Sequence, residues 1–127
     1  MTERGSMLPL VGALILTALV VVAFAGDVAL LAAGYREAAF AADAGAEAGA
    51  AVVVPTDAYG GAVVVDVLAA PEVAREAATA ARPRPGRTVE VHAEPERVCV
   101  VVRQPAVARF FPDQVVVATA CAEPRRG

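Results

Sequence analysis

The 127-residue sequence contains no lysine, no tryptophan, only one histidine and only two cysteines. All eleven basic residues are arginines, dispersed along a chain of net charge −3. The chain therefore lacks the basic patch that nucleic-acid binding requires. Absent lysine combined with abundant alanine, valine and arginine is typical of GC-rich coding and indicates a bacterial source such as an actinomycete.

The sequence also lacks the usual motifs of catalysis. It has no G-x-S-x-G nucleophile motif and no glycine-rich phosphate loop. His92 and Glu94 would share one face of a strand, but two ligands are too few for a metal ion, and a solvated face explains both. Neither Cys99 nor Cys121 belongs to a C-x-x-C pair, which argues against a zinc or redox motif. We therefore expect no enzymatic activity, no cofactor and no small-molecule substrate.

Charge is absent from the 19 residues between Met7 and Ala25. As a helix this apolar run would span about 28 Å, enough to cross a bilayer. The free amine and Arg4 outweigh Glu3 before the run, and Asp27 follows it, so the charge bias favours a cytoplasmic N-terminus. The run predicts a single-pass protein of the cell membrane, with its C-terminal domain outside the cytoplasm.

Proline is absent from residues 26–51, whose charges are separated by blocks of alanine and leucine that a helix tolerates. The simpler prediction is one continuous helix of about 45 residues, partly in the membrane and partly outside it. A cleaved secretory signal is the alternative, because Ala23-Phe24-Ala25 forms an A-x-A site. Cleavage there would leave Gly26 as the mature N-terminus and release a small secreted binding module.

Beyond residues 1–50, the remaining residues 51–127 have room for one small domain. Proline and paired glycines predict a loop near residues 55–61, followed by a short extended segment at Val63–Val65. The pattern then predicts a second helix over Asp66–Ala81, with Pro71 in its first turn.

Apolar residues alternate with polar ones from Thr88 onward, as a half-buried strand requires. The three predicted strands cover residues 88–94, 98–103 and 115–121. The expected fold is α+β: a pilin-like long N-terminal transmembrane helix, a second short helix and a small three-stranded antiparallel β-meander.

The two cysteines fall in predicted strands of the domain assigned outside the membrane. An even pair in a small domain of an oxidising compartment is most simply a disulfide; two buried free thiols are the other possibility. A Cys99–Cys121 bridge would close a loop of about 22 residues and stabilise the domain by about 3 kcal/mol. If the second and third strands pair around the turn at Phe110, the cysteines come opposite each other.

Three segments of the first fifty residues resemble the TadE/TadG-like proteins of tight-adherence (Flp-type) pilus and secretion systems. They are Arg4-Gly5-Ser6 before the apolar run, Asp27 with Tyr35-Arg36 after it, and the alanine-rich run Ala41–Ala46. The resemblance implies a small inner-membrane pseudopilin whose outer part joins other small pilin-like proteins in a pilus or secretion apparatus.

The same resemblance suggests processing between Gly5 and Ser6, where a prepilin peptidase would cut. Pilins of this class carry a glutamate five residues into the mature chain, which helps to align neighbouring subunits. Leu10 stands at that place here. An unprocessed chain is therefore the alternative to cleavage, and we expect a minor component rather than a major filament subunit.

Two further features are candidates for association. Gly45 and Gly49 form G-x-x-x-G beside a row of small residues that includes Ala42 and Ala46, which would let the helix pack closely against partner helices or against the protein's own sheet. Alanine is abundant throughout, so the spacing could also arise by chance. Phe110-Phe111 would either plug the open end of the sheet or form an exposed docking loop for a partner.

Overall fold

The computed structural model describes residues 7–55 and 60–125. Within these residues the fold is α+β, as predicted. Two helices precede a three-stranded sheet: α1 Met7–Ala50, α2 Ala70–Ala80, β1 Thr88–Glu94, β2 Arg97–Ala106 and β3 Gln114–Ala122. The candidate processing site at Gly5 and Ser6, and residues 56–59 of the predicted loop, lie outside the described residues.

Helix α1 is continuous over 44 residues and is therefore about 66 Å long. The first half of the helix contributes no apolar side chain to the buried core. Its second half contributes seven fully buried small residues: Ala38, Ala41, Ala42, Gly45, Ala46, Gly49 and Ala50. The compact unit forms around α1 from Asp27 onward; α2 and the sheet, which pack on this half of α1, are called the head below.

After α1 ends at Ala50, the chain runs extended and pairs with the segment that leads into α2. Val53 and Val65 form an isolated antiparallel bridge. The Val54 N–H donates to the Val64 carbonyl at 2.9 Å, and the Asp66 N–H donates to the Val52 carbonyl at 2.8 Å. The extended segment predicted around Val63–Val65 is thus present, held by the residues that follow α1.

Helix α2 begins at Ala70, four residues later than the sequence pattern predicts. The reason is the side chain of Asp66, whose Oδ1 accepts hydrogen bonds from the N–H groups of Leu68 and Ala69 at 3.0 and 3.1 Å. Aspartate commonly stabilises a turn in this way, and the turn occupies residues 67–69 before the helix starts.

The sheet has the order β1-β2-β3, with both pairs antiparallel, and it is the meander predicted from the sequence. Alternation along β2 turns Val98, Val100 and Val102 towards the helices, where all three are fully buried. The intervening residues face away from the helices. Cys99 is on that outer face, directly opposite Cys121 of β3, and the two form a disulfide.

Strand β2 continues three residues beyond the predicted end, through Gln104 and Pro105. Proline in a central strand is normally excluded because it cannot donate a ladder hydrogen bond. Here β1 begins at Thr88, opposite Arg103, so β2 has a neighbour on only one side at Pro105. The extension pairs with the start of β3 and brings the loop between the two strands close to α1.

Gly45 and Gly49 mark the closest approach between α1 and α2. A Cβ added at Gly45 would lie 2.9 Å from the carbonyl oxygen of Ala74 and 2.9 Å from the Cβ of Ala78, both in α2. At Gly49 it would lie 2.9 Å from the Ala74 Cβ. The small-residue row is therefore filled by the protein's own α2 and β2.

We expect Gly45→Ala to lower the free energy of unfolding by about 1–3 kcal/mol, because the added methyl group meets backbone that cannot rotate away. Gly34→Ala is the matched control on the same helix, since its Cβ would meet nothing closer than 3.7 Å. The control should leave stability unchanged or raise it by up to about 1 kcal/mol through helix propensity. Urea unfolding of the detergent-solubilised protein, followed by circular dichroism, measures both. Equal stability of the two variants would contradict the packing.

Candidate functional site

The first half of α1 exposes apolar side chains on every side. Leu8, Leu16 and Val22 are 85%, 65% and 69% exposed. A helix that is apolar all round is normally buried in a protein core or in a membrane, and nothing in the described chain covers this one. By length and composition, α1 can cross a membrane.

Asp27 lies just beyond this apolar half and is only 1% exposed. Its Oδ1 accepts the Arg109 N–H at 3.0 Å, and its Oδ2 accepts the Phe110 N–H at 2.7 Å. A buried carboxylate is costly unless such donors satisfy it, and charge-assisted bonds of this kind are strong. We call this pair of hydrogen bonds the Asp27 clasp; it fixes the loop between β2 and β3 to α1.

The loop held by the clasp, residues 107–113, is called the aromatic loop. Its Phe111 ring packs edge-to-face on Phe24 of α1, with the ring centroids 5.9 Å apart. Phe110 and Phe111 remain 62% and 41% exposed. The two rings therefore lie beside the apolar half of α1 and do not form a buried plug in the sheet.

Gln104 makes a second connection to α1, about two turns further along the helix. It is 1% exposed, and its Nε2 donates to the Gly34 carbonyl at 2.9 Å. Its Oε1 accepts from Nε of Arg87 at 2.9 Å. Nη1 of Arg87 donates in turn to the carbonyls of Ala78 and Ala81 at the end of α2, where a cation is favourable. One buried network thus joins both helices to β2.

The arginine-rich segment after α2 makes a third connection. Arg84 forms an ion pair with Glu37 at 2.8 Å, and the guanidinium of Arg82 lies 5.5 Å from the centroid of the Phe40 ring. The hydrogen bond from Arg84 is the main cause that lowers the pKa of Glu37, and the positive charges of the three nearby arginines act in the same direction against burial. Glu37 and Phe40 are one turn apart, so they face this segment together.

Sequence reasoning missed all three connections, although two of them left a signal. Asp27 is the single acidic residue within a long apolar stretch, and such a residue needs a partner. Glu37 and Phe40 stand three residues apart on the helix face that meets the arginines. The partners could not be identified, because nothing local in the sequence links residue 27 with residue 109.

His92 and Glu94 lie on the exposed face of β1, as the alternation predicts. His92 pairs in register with Cys99, and Glu94 accepts from Arg97 across the turn at 2.9 Å. No group of three or more metal-ligating side chains occurs in the described residues.

Comparisons of the chain with protein-family models, with curated proteins and with solved structures found no match. The described features that bear on function are α1 and the three places where the head holds it.

We expect Asp27→Ala to raise the hydrogen-exchange rates of the Arg109 and Phe110 amides, because both lose their acceptor. Leaving these donors unsatisfied should also cost about 1–3 kcal/mol of stability. Asp43→Ala is the control, since Asp43 is an exposed acidic residue on the same helix. Hydrogen exchange read by NMR or mass spectrometry gives the answer; unchanged exchange at residues 109 and 110 would show that the clasp does not hold the loop.

The lowered pKa of Glu37 predicts a pH-dependent contribution to stability. A carboxyl group whose folded pKa is below its unfolded value, here about 4.5, stabilises the fold above that value and loses this contribution as the pH falls through the folded pKa. Glu37→Gln should therefore lower the urea midpoint at pH 7 and converge with wild type near pH 3. Glu47→Gln is the control, because Glu47 forms only a 3.9 Å ion pair with Arg125 and both side chains are exposed. This variant should change the urea midpoint little at either pH. A constant difference across the pH range would refute the assignment.

Proposed function

We propose that the chain is a structural, membrane-anchored protein: a minor pilin-like component, resembling TadE, of a bacterial tight-adherence-type pilus assembly or secretion system. In this proposal α1 crosses the cell membrane with its N-terminus in the cytoplasm, and the head stands outside. Its partners are the membrane and other small pilin-like proteins. The observation that carries the proposal is that one unbroken helix serves as both the apolar segment and a wall of the head's core.

The continuity of α1 suits an assembly subunit better than a tethered binding module. A flexible linker between anchor and domain would let the head rotate freely. Here the head is held at Asp27, at Gly34 and at Glu37, over about 15 Å of the helix. A rotation or shift of the membrane segment would therefore move the head with it.

The disulfide supports the topology, since such bonds persist mainly in oxidising compartments outside the cytoplasm. That location agrees with the charge bias around the apolar run. The part of α1 that lies outside the membrane would then begin near Asp27.

Contacts with other subunits would use the first half of α1. Gly45 and Gly49 are already packed against α2, so that small-residue row serves the fold of the head. The exposed apolar half, in contrast, has no contact with the head over most of its length and is free to meet neighbouring helices in the membrane. Van der Waals packing drives such association.

Signal cleavage after Ala25, the competing possibility, finds less support. Ala25 lies inside continuous helix, and the preceding Phe24 packs on Phe111 of the head. Removing residues 1–25 would take away part of the surface on which the aromatic loop rests.

The test uses the native host. Deletion of the gene should abolish surface pili or the matching secretion activity, and the wild-type chain should restore it. Leu16→Arg and Leu68→Arg form a matched pair, because both leucines are exposed in the isolated chain but only the first would lie in the membrane. Leu16→Arg should reduce the membrane fraction and complementation, since arginine near the middle of a spanning helix costs about 2.5–3.5 kcal/mol. Leu68→Arg should retain both.

N-terminal sequencing of the protein from the membrane and from the medium completes the experiment. An intact start, or a start at Ser6, in the membrane fraction agrees with the proposal. A start at Gly26 in the medium, or normal piliation without the gene, contradicts it.

A further inference from the structure

We propose that the aromatic loop is a second membrane contact: Phe110 and Phe111 insert into the boundary between lipid headgroups and acyl chains on the side where the head stands. The inference rests on the membrane anchorage contained in the proposed function. It assigns the exposed loop a lipid surface as its partner, and it makes the loop the element that sets the height of the head above the bilayer.

The position of the clasp along α1 gives the first argument. From Met7 to Asp27 the helix rises by about 30 Å, which matches the roughly 30 Å thickness of a bilayer's hydrocarbon core. If the apolar half fills that core, Asp27 lies at its edge. The N–H groups of Arg109 and Phe110, bonded to Asp27 at 3.0 and 2.7 Å, lie at the same height.

The direction of the loop gives the second argument. Phe111 contacts Phe24, which is almost one turn nearer to the apolar half than Asp27. The loop thus extends from the clasp towards the part of α1 that the membrane would cover. Its rings lie at the depth where amphipathic segments place their large apolar side chains, roughly 5–10 Å into the headgroup and acyl boundary.

The third argument is the exposed apolar surface itself. Val107 and Phe110 of the loop are 67% and 62% exposed, and Phe24 on the adjoining helix is 55% exposed. The contact of Phe111 with Phe24 joins the exposed loop to the apolar surface of α1. A soluble surface rarely keeps such a patch without a partner, and the membrane lies beside it.

Polar groups at the junction suit the same boundary. Arg109 is exposed and sits next to the two phenylalanines, where a cation can approach lipid phosphates while its stem lies along apolar surface. The carboxylate of Asp27 would be costly close to hydrocarbon, but the clasp covers it and bonds both oxygens. The loop therefore shields the acidic side chain that follows the membrane segment.

The absence of tryptophan from the chain permits a direct test. Single-tryptophan variants of the full chain, Phe110→Trp and Phe111→Trp, are reconstituted in phosphatidylcholine vesicles that contain lipids brominated either near the headgroup or near the chain end. Leu16→Trp reports on the spanning helix. Leu68→Trp, 89% exposed beside the start of α2, reports on the far end of the head.

We expect both loop tryptophans to lose at least about half of their fluorescence with shallow bromines and clearly less with deep ones, as for side chains at the headgroup boundary. Leu16→Trp should be quenched more by deep bromines, and Leu68→Trp by neither. Quenching of Leu16→Trp without quenching of either loop variant would overturn this inference and leave the anchorage intact. No quenching at Leu16→Trp would overturn both.

A second variant separates lipid contact from loss of fold. Adding Asp27→Ala to Phe110→Trp releases the clasp, so the loop should no longer be held at one depth and the preference for shallow over deep bromines should shrink. Adding Asp43→Ala should leave that preference unchanged. If Asp27→Ala also leaves it unchanged, the clasp does not position the loop in the membrane.

Discussion

Close approach between α1 and α2 at Gly45 and Gly49 sets the geometry of the head. The buried core consists of alanine and valine, with no aromatic side chain among its fully buried members in the described chain. Such a core can exclude water only if backbones come unusually near one another, and a Cβ at either glycine would fall 2.9 Å from atoms of α2. The position of α2, and of the sheet that covers both helices, follows from that contact.

With so little apolar volume inside the head, buried polar contacts take a large part in specifying how the sheet lies on α1. Gln104 and Arg87 join the two helices and β2 through four hydrogen bonds. The clasp at Asp27 and the ion pair at Glu37 act at other levels of the same helix. Together they select one rotation of the helix relative to the sheet, because a turn of α1 by one residue would leave Asp27 and Gln104 unsatisfied.

The sequence pattern predicted the elements well because their signals are local. Alternation over Thr88–Glu94 predicted β1, and pairing around a turn at Phe110 would bring Cys99 roughly opposite Cys121, where the register places it. Prediction was less accurate where a side chain overrides the local pattern. Asp66 delays the start of α2. Pro105 is tolerated inside β2 because β1 begins only at Thr88, opposite Arg103. The clasp joins Asp27 to two residues that follow it by 82 and 83 positions in the sequence. No periodicity encodes such a pairing.

The outward-facing disulfide has a mechanical consequence. A pull on the apolar half of α1 would reach the sheet partly through the aromatic loop, which belongs to the stretch of chain that Cys99 and Cys121 enclose. Hydrogen bonds between β2 and β3 could open from the loop side, but separation would stop at the covalent link. The edge strand β3 is thereby kept with its own sheet under load and cannot be exchanged with that of a neighbouring copy while the bond is intact.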